Sequence, residues 1–331
     1  MRSRAPERLA PHVPLAADRT AAPRARRGIR WSVEHPGERD LLLRVEACMR
    51  ASAALGRSVR SYEGFAVAMA GGADAAGLAV AIPDEREPAA WAPALAAVRA
   101  VFAERSLTPR IEYVDDLHPA LAPAAHALGW RTSARLPVMV VEGPEVRGAG
   151  APRSTDTEAS RTGSSRGTGA AAATEVRILG ADDAALLAFV RGQQRAYRAE
   201  TPSDDAPGDE TAAADAPIDD ADTLIWLDLL RQGLRQERLD VVAVALRERL
   251  VAGASLMRAG DASELAGVWT SLEVRGRGLG RLACQAALER AFASGDRLVW
   301  LSAAPGATRL YTALGFRAVG TQRNLVYPPP P

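Results

Sequence analysis

The sequence predicts a mixed α/β chain (α+β) folded as two similar globular parts. Three observations predict it. Short apolar strands alternate with longer amphipathic helices in both halves of the 331 residues. A stretch bare of apolar periodicity, 144–174, lies between the halves. A Leu-Gly-aromatic signature recurs, "HALGW" at 126–130 and "TALGF" at 312–316, as expected of a weak internal repeat.

Taken in order, residues 1–30 form an Arg/Ala/Pro-rich arm without periodicity, read as disordered. Residues 31–143 carry the first globular pattern. "ERDLLLRVEACMRASAA" has helical spacing, "GFAVAMA" and "AGLAVAI" are short strands, and "PAAWAPALAAVRAVFAER" is a helix with Pro88 near its first turn. "PRIEYV", "PALAPAAHALGW" and "RLPVMVVE" follow as strand, short helix and strand. After the linker 144–174, residues 175–331 begin with a strand, "TEVRILG", and a helix whose first turn is acidic. An insert at 199–222 holds nine Asp/Glu and no basic residue. It reads as a solvated loop, or as an attractor for a cationic acceptor. A helix "TLIWLDLLRQGL" and three strands, "LDVVAVAL", "RLVAGASLM" and "LAGVWTS", lead to a glycine-rich loop. Beyond it come a helix to about Ser294, the strand "RLVWLS", the helix "ATRLYTAL" and a terminal strand region.

Composition excludes several chemistries. Hydrophobic content of 47% supports true cores, and a net charge of +1 gives no global field for nucleic acid or membrane. No apolar run approaches the roughly 20 residues of a membrane span, and the arm lacks a signal-peptide core, so a cytoplasmic location is expected. Cys48 and Cys284 lie far apart and suggest neither a disulfide framework nor a metal cluster. There is no lysine: all 41 basic residues are arginine, which rules out a Walker-type phosphate loop and a lysine Schiff base.

The informative stretch is "VRGRGLGRL", Val274–Leu282. It follows a strand and opens a helix, where unpaired N–H groups and the peptide dipoles favour an anion. Glycines let the backbone close on that anion, and Arg275, Arg277 and Arg281 can add charge-assisted contacts. Leu279, Leu282, Ala283, Ala286 and Ala287 fall on the opposite face from Arg281, Gln285 and Glu289, so the helix is amphipathic. A plain strand-to-helix turn is the competing reading. A dinucleotide fingerprint fits worse, because the third glycine comes one residue early and the following strand "RLVWLSAA" ends without a ribose-binding carboxylate.

The spacing Arg275-x-x-Gly278-x-Gly280, together with "ATRLYTALGF" at 307–316, resembles the acyl-CoA pyrophosphate loop and the LY-x-x-LGF segment of the GNAT N-acetyltransferase superfamily. The resemblance covers 175–331 well and the first half in outline. It implies GNAT-like domains, each a mixed, mostly antiparallel sheet flanked by helices. It implies acetyl-CoA as acyl donor and no metal. The strands before and after the loop would splay, with pantetheine bonded to backbone near Val268, Trp269 and Thr270. The amides of Arg277, Gly278, Leu279, Gly280 and Arg281, with Arg275 and Gly276 in the same loop, would hold the pyrophosphate. Tyr311 matches the family's general acid. Glu264 falls where some members carry a glutamate base; Glu273 and a water chain are the alternatives. No histidine lies in 175–331, since His12, His35, His118 and His126 all belong to the first half.

The first half departs from the pattern. In place of the glycine loop it has "PDEREPAA" (83–90), whose prolines lack N–H groups and whose acids repel phosphate. In place of Tyr311 it has Ala125. It is therefore expected to be a GNAT-like domain without a cofactor site. The function expected is acetyl transfer to an amine of a small-molecule or peptide acceptor, by a monomer or homodimer. The competing classes are a non-catalytic acyl-CoA sensor or scaffold, and a nucleic-acid binder acting through the arginine-rich arm.

Overall fold

The computed structural model describes residues 36–69, 79–84, 88, 90–143, 174–200 and 220–328. The arm, the linker apart from Thr174, and most of the acidic insert lie outside them. The strands are β1 (Ser58–Tyr62), β2 (Phe65–Met69), β3 (Val80–Pro83), β4 (Arg110–Val114), β5 (Arg131–Glu142), β6 (Thr174–Leu179), β7 (Leu239–Leu246), β8 (Arg249–Ala259), β9 (Ala262–Thr270), β10 (Leu298–Ser302) and β11 (Arg317–Val326). The helices are α1 (Pro36–Ala53), α2 (Trp91–Ala103), α3 (Leu121–Ala127), α4 (Ala185–Glu200), α5 (Asp220–Arg235), α6 (Leu279–Ala293) and α7 (Thr308–Thr312).

All eleven strands join one sheet, in the order β1-β2-β3-β4-β11-β5-β10-β9-β8-β7-β6. Most pairings are antiparallel; β3–β4 and β9–β10 are parallel. The order places the last strand of each half inside the other half. β5 pairs with β10 from Val138 to Glu142, and β11 pairs with β4 from Arg110 to Val114. The two exchanged strands then pair with each other antiparallel. The succession β3-α2-β4-α3-β5 in the first half repeats as β9-α6-β10-α7-β11 in the second.

Helices cover both faces. On one face α6 and α7 pack over Val242, Val244, Leu256, Leu265, Val299 and Leu301. The α2 and α3 helices pack over Phe65, Ala81, Ile111, Tyr113 and Leu325. On the other face α4 and α5 cover Val241, Ala243 and Ala245. There α1, through Leu42, Val45, Cys48 and Met49, covers a central cluster that includes Ala262, Leu298 and Trp300. Thus a helix of the first half lies across strands of the second, and α1 touches β8 and β9 as well as β3, β4 and β11. Its C-terminal turn is pinned from the second half. Arg238 donates to Ala51 O at 2.7 Å. Gly56 has φ +66°, and a Cβ there would stand 2.3 Å from Leu229 of α5, so only glycine fits this turn.

Candidate functional site

The glycine loop is held between β9 and α6 by its own backbone. Residues 272–274 make one 3₁₀ turn, Gly276 and Gly278 take φ of +73° and +79°, and Gly278 is the N-cap of α6. The first backbone bond of the helix is Leu282 N to Gly278 O at 3.0 Å, so the earlier N–H groups of the turn have no helical acceptor. A Cβ at Gly276 or Gly278 would meet nothing within 4 Å, so the loop faces open space. Gly280 is different: a Cβ there would stand 2.7 Å from Thr270 Oγ1, and its bareness is needed for the helix to seat on β9. Leu279, Ala283 and Ala287 are buried beneath, with Leu282 and Ala286 packed beside them, while Gln285 donates to Glu289 at 3.2 Å on the outer face.

The neighbouring strands part where a thioester would need room. β9 and β10 pair over only three positions, Ala262 with Leu298, Ser263 with Val299 and Glu264 with Trp300. Beyond Glu264, β9 carries a bulge, for the register shifts between the pairs Gly253–Trp269 and Ser255–Ala266. Gly267 lies in the bulge with φ +62°, and a Cβ there would fall 2.5 Å from Gln193 Nε2 of α4. The extra residue inverts the alternation of the strand. Leu265 faces α6, yet Trp269 four residues on faces α4, edge-to-face on Phe189 at 5.7 Å. The backbone of Val268–Thr270 therefore lies past the last β9–β10 pair, facing the gap.

Tyr311 stands on α7, 7% exposed, in the cluster that joins α6 and α7 to the sheet, and its ring meets Phe316 edge-on at 5.9 Å. Glu264 leaves β9 on the opposite face, at the last paired position before the gap. Burial, with the Glu112 charge, pushes its carboxyl up to about 7, against a hydrogen bond from Ser52 and the Arg57 charge.

Residues 204–316 match the family model of the acetyltransferase (GNAT) family. That stretch is a GNAT-family domain. A GCN5-related N-acetyltransferase from Kribbella flavida is similar in fold at 20% identity and TM-score 0.58, covering 88% of this chain and 96% of that one. A GCN5-related N-acetyltransferase from Sphaerobacter thermophilus is similar at 12% identity and TM-score 0.51, covering 87% and 92%. Both likenesses extend over the two halves, so the exchanged sheet falls within the shared fold. No curated protein matches the chain.

Within the GNAT domain, the arginines of the loop divide. Arg275 donates through Nε to Thr270 O at 3.2 Å and through Nη2 to Ala196 O at 3.4 Å, so its guanidinium ties the loop to β9 and α4. Arg277 and Arg281 are exposed. Glu273 pairs with Arg249 at 2.6 Å on the rim of a groove of about 1160 Å³ that follows α4 and reaches Ser271 and Leu272 at the start of the loop. Of the described histidines, His118 directs Nε2 at the Glu46 carboxylate, 3.0 and 3.1 Å from its oxygens, and His126 Nε2 lies 3.0 Å from Thr132 Oγ1. Burial pushes both thiols, Cys48 and Cys284, up to about 12, which keeps them protonated and unreactive. Among the described residues there is no group of His, Cys, Asp and Glu suited to a metal, and no helix long and apolar enough to cross a membrane.

Sequence spacing missed the first-half residues that face Glu264: Ser52, Arg57 and Glu112. It also missed the bulge, although an isolated glycine within a strand pattern is its usual signal.

The raised carboxyl makes a pH prediction. As a base, Glu264 must be ionised, so kcat/KM is expected to climb with pH through about 7 and to lose that limb in Glu264→Gln. Stability runs the other way. The folded carboxyl binds its proton more tightly than the ordinary value of 4.5, so stability is lost as pH rises from there to about 7. Glu264→Gln should lack that decline. Rate and urea titrations against pH check both; a wild-type profile flat between pH 5.5 and 8.5, roughly the span around such a pKa, would remove Glu264 from the base role.

Proposed function

We propose that the chain transfers an acetyl group from acetyl-CoA directly to an amine of a small-molecule or peptide acceptor. The observation that carries this is the three-residue pairing of β9 with β10, which leaves a gap beside the bare N-terminus of α6. The N–H groups of Arg277–Arg281 take the pyrophosphate, aided by the dipole of α6 and the exposed Arg277 and Arg281. Pantetheine runs along the unpaired edge of Val268–Thr270. Tyr311 and Glu264 then flank the thioester from opposite faces of the sheet.

The reaction balances with these two groups. Glu264 takes a proton from the acceptor ammonium, and the freed amine attacks the thioester carbonyl. The C–N bond forms, the C–S bond breaks, the thiolate takes the Tyr311 phenol proton, and the second proton that the nitrogen sheds on becoming an amide restores the phenol. Two inert thiols favour direct transfer over an acyl-cysteine relay. The first half acts without a donor site of its own: Ala125 is fully buried in α3 where the repeat has Tyr311 in α7.

A free-thiol assay with acetyl-CoA and a panel of amines tests the reaction. Amine-dependent thiol release, with an N-acetylated product by mass, is expected. Tight acetyl-CoA binding without turnover on any amine or peptide would indicate a sensor or scaffold instead.

A further inference from the structure

Three charged side chains from distant parts of the chain meet on the α1 face of the sheet without pairing with one another, although Glu112 has Arg110 at 3.9 Å. Glu264 leaves β9 at the mouth of the gap. Glu112 leaves β4 opposite Asn324 of β11, two residues from Val114 and so on the same face as the cluster under α1. Arg57 follows Gly56 in the pinned turn after α1. A polar floor lies between the carboxylates: Ser302 Oγ donates to Gln322 Oε1, and Gln322 Nε2 donates to Asn324 Oδ1 at 2.9 Å.

All three residues are only part-buried, with 28% of the Glu112 side chain accessible, so the group borders solvent and is not solid core. Yet Arg57 Nε is buried with no hydrogen-bond partner. A guanidinium N–H stripped of water and left unbonded is costly. Arg57 reaches neither Glu112 nor Glu264 within the 4.0 Å of an ion pair, although both carboxylates act on its charge. Its proton affinity is lowered by burial and only partly restored by Glu112 and Glu264, while Glu112 is raised by burial against the pull of Arg110 and Arg57. Opposite charges held apart at the edge of solvent suit a ligand that carries both signs.

We propose that this group binds the acceptor as a zwitterion, an amine that also bears a carboxylate, with its carboxylate on Arg57 and its ammonium between Glu112 and Glu264. This rests on the acetyl-transfer reading and names its acceptor class as free amino acids. The carboxylate supplies the acceptor that Arg57 Nε lacks. The ammonium neutralises the carboxylates and lies beside the base that deprotonates it. Arg57 and Glu112 come from the first half and Glu264 from the second, so the half without a donor site supplies acceptor specificity.

The test is steady-state acetylation of the common L-amino acids, each compared with its α-amide and its decarboxylated amine, alongside Arg57→Gln and Glu112→Gln. At least one amino acid is expected to exceed both of its analogues in kcat/KM by about 10²-fold or more. Arg57→Gln should bring that ratio towards one, and Glu112→Gln should raise KM for the amino acid, with acetyl-CoA affinity unchanged by calorimetry. Equal rates for amino acids and their carboxylate-free analogues in the wild-type protein overturn the proposal, a comparison that needs no variant to fold. So does a folded Arg57→Gln that keeps the preference. Acetylation of carboxylate-free amines alone sinks the zwitterion and leaves acetyl transfer standing. Thiol release with none of the panel also sinks it, and only failure to bind acetyl-CoA removes both.

Discussion

Phenylalanine in place of Tyr311 is expected to lower kcat by about 10²-fold or more, equivalent to about 2.7 kcal/mol in the transition state. The ring is 7% exposed and packs on Phe316, and phenylalanine keeps both the burial and the edge-on contact. Stability and acetyl-CoA affinity should therefore barely move. Only the phenolic proton is lost, and that proton matters as the thiolate departs, so the effect belongs in kcat and not in KM for acetyl-CoA. A CoA thiolate leaves unaided to some extent, which sets the effect at the lower end of what a positioned acid supplies. A folded Tyr311→Phe within about threefold of wild-type kcat would make the residue a packing tyrosine.

The second large effect is expected at Gly278. Aspartate there should weaken acetyl-CoA binding by about 10²-fold or more, or about 2.7 kcal/mol, with little loss of fold. Charge, more than collision within the chain, carries this effect. A Cβ at Gly278 meets no protein atom within 4 Å, so nothing in the chain rejects a side chain. The φ of +79° costs a non-glycine residue about 1 kcal/mol, and aspartate tolerates that region better than most. Its carboxylate, however, would sit at the N-terminus of α6 and take the amides that a pyrophosphate needs. Gly278→Asn separates the two effects, because it keeps the shape without the charge and should bind far better than the aspartate variant. Native affinity in a folded Gly278→Asp would reduce the loop to a turn.

How much could be read from the sequence depends on how local each feature is. The helix α6, its glycine cap and its apolar face lie within twenty residues and follow from spacing alone. Tyr311 stood out only through the family resemblance of its segment, one helix and one strand beyond the loop. The strand β1 was not, since "SVRSY" is an exposed edge strand with no buried face to set a period. The exchange of β5 and β11 was also hidden. The apolar run "RLPVMVVE" satisfies the same burial whichever strand lies beside it, so pattern shows that it is a strand and not which neighbour it takes. The acceptor side was least legible. Arg57, Glu112 and Glu264 share no spacing, and an unpaired buried charge can be recognised only once the fold has brought its neighbours together.

In the proposed function, the second half supplies the acetyl-CoA site and the first lines the acceptor side. Calorimetric titration of the whole chain with acetyl-CoA tests that division most directly. The contrast between "RGRGLG" in the second half and "PDEREP" in the first predicts a stoichiometry near one, with affinity lowered about 10²-fold or more by Gly278→Asp. A stoichiometry near two, or binding that survives intact in Gly278→Asp, would contradict it.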